Sequence, residues 1–216
     1  MIEIYLFVNP LGKICLNIER EILKFAQAES KKIQLRLIPL VNMKTIKNLL
    51  KVHAITSTDI TGRNELFENM YSAALDFKAA QLQGKKKGRH ILLNLQQMIA
   101  EENIPYSTVL AEKLIVEAGG DLEMFQADRH SSFVKDSFQI DQQIAREMGV
   151  SKHPSAVIYN YACDRDFGVL IEEYLTIEHI KRLCETSEEN YVHFHDPIQL
   201  AEDFEHSVPK GHLHLL

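Results

Sequence analysis

The chain has 216 residues, 45% of them hydrophobic and 25% charged, with nine glycines and six prolines, a composition of soluble globular proteins that excludes fibrous and disordered classes. A net charge of −6 argues against nucleic acid as the main partner, because no broad basic surface can be assembled from it. The cysteines, Cys15, Cys163 and Cys184, are odd in number and far apart, which is not the framework of a secreted, disulfide-stapled domain.

The opening "MIEIYLFVNP" carries Glu3 inside its apolar run and no basic leader, so it does not read as a signal peptide and the expected compartment is the cytoplasm. No apolar run approaches membrane-spanning length, and no membrane partner is expected. "IEIYLFV" is a continuous apolar, β-branched and aromatic run, predicted to be a strand buried on both faces and ended by Pro10. Ile14, Ile18, Ile22 and Phe25 then recur at helical spacing and predict an amphipathic helix from about 14 to 28. "IQLRLIPL" (33–40) alternates and reads as a second strand, parallel to the first through a right-handed crossover.

The period then turns helical. Leu66, Met70, Ala73, Ala74 and Phe77 form one stripe, stopped at Gly84, and Leu92, Leu95 and Ile99 form another, ending before Pro105. Between them lies the one basic cluster, Lys85, Lys86, Lys87 and Arg89, which its glycine neighbours predict to be a solvated turn or a patch for an acidic partner. Ser107 and Asp121 are expected N-caps on either side of the Gly119-Gly120 stop. A further helix, from near Phe133 to Met148, turns Val134, Phe138, Ile144, Ala145 and Met148 inward and stops at Gly149.

Strands return as "SAVIYN" (155–160) and "GVLIEEYL" (168–175), close enough for an antiparallel hairpin, followed by a helix capped by Thr176. The order is β-α-β, a block of helices, β-β, then α. This is the α/β, thioredoxin-like arrangement of the DsbA type, with a helical insertion (60–150) between the two halves of a domain spanning 1–185. Residues 186–216 read as a polar, histidine-rich tail.

A thioredoxin-type redox site needs two thiols, three residues apart, at the start of the first helix: one exposed and attacking, the other resolving. Here the stretch is Gly12-Lys13-Ile14-Cys15. Gly12 stands where the attacking thiol belongs, so dithiol exchange through this motif is excluded by covalent arithmetic. Cys15 is either a small buried residue at a helix start or a monothiol site. Nothing in the spacing brings Cys163 and Cys184 together. His153-Pro154 precedes the third strand; in a thioredoxin fold this proline is cis, and the backbone before it is free to pair with an extended partner segment. His193, His195, His212 and His214 form two H-x-H pairs that read as solvated tail or as metal ligands. No phosphate-binding, dinucleotide or zinc-protease motif is present, and no cofactor or resident metal is expected.

Three segments together resemble a known family. "IEIYLFVNPL" and the helix after it resemble its "EIYMFVDPLCPECW" opening. "YSAALDFKAAQLQGKKKGRHILLNLQ" (71–96) resembles its insertion signature, and "DQQIAREMGVSKHPSAVIYN" (141–160) its cis-proline segment. On these segments the chain is identified as a member of the SpxH (YjbH) family, cytoplasmic DsbA-like proteins of Gram-positive bacteria. The resemblance implies an adapter that binds the transcription factor Spx and promotes its degradation by the protease ClpXP. Some relatives carry the alternative description of DsbA-family dithiol-disulfide isomerase, here a single-cysteine oxidoreductase. The chain departs from the family at Gly12, Ile14 and Leu16, and its tail after Glu185 has no counterpart there. The expected partner-binding residues are therefore Gly12, Lys13, Cys15, His153 and Pro154, with Lys85, Lys86, Lys87 and Arg89.

Overall fold

The structure, a computed structural model, describes residues 1–52, 55–56, 58–163, 167–172, 174–186 and 213–215. Strand β1 (Ile2–Val8) is followed by helix α1 (Lys13–Ala28) and strand β2 (Ile33–Pro39). Six helices come next: α2 (Met43–Val52), α3 (Ile60–Leu82), α4 (Lys85–Ala100), α5 (Thr108–Glu117), α6 (Leu122–His130) and α7 (Ser132–Glu147). Strands β3 (Ser155–Asn160) and β4 (Val169–Ile171), helix α8 (Ile177–Leu183) and a short strand β5 (Leu213–Leu215) complete the order. The sheet runs β2-β1-β3-β4-β5. As the sequence predicts, β1 and β2 are parallel, with Ile4 opposite Leu35, whereas β3 is antiparallel to both β1 and β4.

Three apolar clusters follow from this layering. One face of the sheet (Ile2, Ile4, Leu6, Val8, Ala156, Ile158) packs on Ile18 and Ile22 of α1 and Ile180 of α8, joined by Phe77 and Leu92 from the inserted helices. The opposite face (Phe7, Ile38, Val157, Leu170) packs on Ala145 of α7 and on Val150. The inserted helices bury a core of their own around Met70, Ile91, Leu114, Phe125 and Phe138. A buried polar knot fastens it: Asp76 of α3 pairs with Nε of Arg129 on α6 and accepts the Tyr106 hydroxyl at 2.5 Å. Burial raises the Asp76 carboxyl to about 6, against the opposing pull of Arg129 and Tyr106.

The expected caps form: Ser107, Asp121 and Thr176 accept backbone N–H groups of Leu110, Met124 and His179. Several expectations are corrected. Strand β1 is not buried on both faces throughout, because α7 covers only part of the second face and leaves Glu3 and Tyr5 half-buried. Ile14 does not continue the inward stripe of α1; it is 72% exposed, since Cys15 and Leu16 take the buried positions of that turn. Lys85, Lys86, Lys87 and Arg89 are not a turn but the start of α4. Gly84 alone, at φ +135°, makes the break, and Gly88 lies so close to α3 that a Cβ there would come 2.5 Å from Cγ of Gln81. The second hairpin strand spans three residues rather than eight, and Tyr174 turns out of it at φ 56°. Most of the tail read as 186–216, with His193, His195 and His212, lies outside the described residues. Within it, 213–215 pair with β4.

Candidate functional site

The end of β1, the start of α1 and the loop before β3 meet at one point. The His153-Pro154 peptide is cis. Its imidazole Nδ1 lies 3.9 Å from the Cys15 sulfur, so the structure brings Gly12, Lys13, Cys15, His153 and Pro154 to one place. Lys85 does not join them. It is eleven residues from Gln96 along α4, about 16 Å of helix axis, and Gln96 is the α4 residue that reaches the site.

Gly12 is the N-cap of α1, at φ −103° and ψ 128°, a conformation open to any residue. What glycine provides there is room. A Cβ at this position would lie 3.0 Å from Nδ2, 3.1 Å from Cβ and 3.2 Å from Cγ of Asn9. That asparagine is 2% exposed and fixed by its turn, accepting the Leu11 N–H at 2.9 Å on Oδ1 and the Gly12 N–H at 3.1 Å on its carbonyl. Its side chain thus packs into the space that a side chain at residue 12 would begin to fill.

Cys15 is 1% exposed, and its sulfur accepts the Asn9 N–H at 3.2 Å. Burial pushes the thiol up, the nearby Glu19 carboxyl adds to this, and the Asn9 N–H opposes them more weakly. Glu19, one turn along α1, is fully buried, and desolvation raises it to about 8 although Gln96 donates to its Oε1 at 2.7 Å. The same Gln96 amide donates to the Asn9 carbonyl at 2.8 Å. Glu19 Oε2, Gln96 Oε1 and His153 Nε2 are buried with no hydrogen-bond partner among the described residues. Burial lowers His153 to about 4. At neutral pH the site therefore holds a neutral thiol, a neutral carboxyl and a neutral imidazole. The thiolate that would attack a disulfide is the species this environment disfavours most.

Among the described residues no group of three or more His, Cys, Asp and Glu gathers as a metal site, and no disulfide links Cys15, Cys163 and Cys184. Asn9, Glu19 and Gln96 are the site residues that the sequence reading passed over. For Glu19 a signal existed: it shares a helix face with Cys15, Ile18 and Ile22, where a carboxylate has no reason to be unless it is buried deliberately.

The thioredoxin family profile matches residues 5–182. The ClpXP adapter protein SpxH of Bacillus subtilis is 34% identical over 176 residues, covering 74% of this chain and 58% of that protein. The ClpXP adapter protein SpxH of Staphylococcus saprophyticus is 31% identical over 163 residues, covering 74% of this chain and 56% of that protein. The chain thus spans less than two thirds of the length of these curated relatives. Among solved structures, a candidate protein disulfide isomerase from Nitrosomonas europaea superposes with a TM-score of 0.64 at 18% identity, over 90% of this chain and 98% of that one. The oxidoreductase DsbA of Xylella fastidiosa gives 0.53 at 14% identity, over 73% of this chain and 72% of that one. At such identities these likenesses show the fold alone.

Proposed function

The chain belongs to the thioredoxin family and has its DsbA-type fold, and from that premise we propose that it is a cytoplasmic ClpXP adapter of the SpxH kind, which docks Spx and promotes its degradation without redox chemistry of its own. The observation that carries the reading is the state of Cys15: the single thiol of its motif, 1% exposed and pushed up by burial. The adapter names of the curated relatives supply the partners.

In this reading the docking surface is Gly12, Lys13 and the exposed Ile14 on one side, with His153 and Pro154 on the other, and Cys15 as a buried support. The basic first turn of α4 (Lys85, Lys86, Lys87, Arg89) is a second, separate patch suited to an acidic surface of the assembly. An adapter of this type works by tethering, since holding a weakly recognised substrate beside the protease raises its effective concentration. The test is reconstituted Spx degradation by ClpXP with and without this protein. A severalfold acceleration is expected, and an unchanged rate would sink the proposal.

A further inference from the structure

The loop before Pro154 is held from behind by a carboxylate. Glu172, the residue after β4, turns Oε1 toward it and accepts the Ser151 N–H at 2.5 Å, the Ser151 hydroxyl at 2.8 Å and the Lys152 N–H at 3.0 Å. Other elements grip the same two residues. From α2, Lys44 Nζ donates to the Ser151 hydroxyl at 2.6 Å; from the preceding loop, Asn42 Nδ2 donates to the Ser151 carbonyl at 3.2 Å. From β3, the Ser155 hydroxyl donates to the Lys152 carbonyl at 2.9 Å. The backbone groups of Ser151 and Lys152 are thus committed inward, whereas the His153 N–H donates to no group among the described residues.

Two successive N–H groups aimed at one point form an anion-holding concavity, and here the anion is supplied from within the chain. Three bonds to one ionised oxygen make a stronger clamp than neutral bonds would. Burial pushes the Glu172 carboxyl up, but the Ser151 and Lys152 bonds and the charge of Lys44 outweigh it and hold the group below the ordinary carboxylate range.

We propose that Glu172 is the positioning residue of the docking edge: by fixing Ser151 and Lys152 from behind, it presents the His153 backbone to an extended segment of the partner. This rests on the reading of the cis-proline loop as the docking surface. In the full chain, hydrogen exchange at the Ser151 and Lys152 amides is expected to be about tenfold or more faster in Glu172→Ala, with β1 and β3 unaffected. Glu172→Gln keeps a neutral acceptor of the same shape and is expected to limit the acceleration to roughly threefold. Spx affinity should fall about tenfold in the first variant and largely recover in the second. Unchanged exchange at the two amides overturns the proposal, and so does faster exchange with Spx affinity unaltered. If Glu172→Ala does not fold, Glu172→Gln carries the test. If the wild-type chain does not bind Spx, the adapter reading fails and exchange at the two amides alone decides whether Glu172 positions the loop.

Discussion

Raising the pH through the neutral range should loosen this fold, and the cause is one side chain, Glu19. Its folded-state value of about 8 lies above the ordinary 4.5. Between those values the folded chain holds a proton that the unfolded chain has released, so stability falls as pH rises. The limiting slope is about 1.4 kcal/mol per pH unit. Allowing for partial ionisation near the folded value, the loss between about pH 6.5 and 8 is about 1.5 kcal/mol. His153 and Asp76 titrate lower, at about 4 and about 6, and their residual effects in this window are common to any Glu19 variant. Glu19→Gln reproduces the neutral acid, so it should match the wild type in urea unfolding near pH 6.5. It should then become the more stable of the two near pH 8, by about 1.5 kcal/mol. Circular dichroism at both pH values measures the double difference. Parallel behaviour of the two proteins would refute the assignment of a buried, protonated carboxyl.

Gly12→Ala should cost about 1 kcal/mol in thermal unfolding through its clash with Asn9, and most of that cost should vanish in an Asn9→Ala background. Cys15 should resist a thiol reagent in the native chain and react only on unfolding; insulin reduction should be undetectable and unaltered in Cys15→Ser. Reversing the charge of the first helical turn of α4 with Lys85→Glu, Lys86→Glu and Lys87→Glu places acids at its N-terminus, so stability should rise by about 0.3–1 kcal/mol per change, while the proposed stimulation of Spx degradation falls. Asp76→Asn leaves Arg129 buried without its counter-charge and should cost roughly 3–5 kcal/mol, read from the urea midpoint.

The frame was legible because its signals are local. The apolar run of β1, the stripe of α1 and the caps at Ser107, Asp121 and Thr176 are each written within a few residues. The meeting of Cys15 with His153 also followed, since the β-α-β and β-β halves impose it once the fold is known. What stayed hidden depends on distant partners. Gln96 reaches Asn9 and Glu19 across 87 and 77 positions, and no periodicity encodes such a pairing. The basic cluster misled for a different reason. Lysines beside glycines read as a solvated turn, yet Gly88 serves close helix crossing and leaves only Gly84 to turn the chain. The β-rich run "GVLIEEYL" predicts Glu172 to be strand, whereas the strand ends at Ile171 and the Glu172 carboxylate is spent on the loop opposite.

The helical block is not a detachable ornament. Phe77 and Leu92 fill the underside of the sheet, and a single amide from the same block secures both the first turn and the first helix. Excising it to recover a minimal thioredoxin would strip the sheet of two large apolar plugs and leave a hidden acid and a main-chain oxygen facing nothing. Any ancestor lacking these helices must have sealed that cavity by other means, and any engineered miniature will have to do the same.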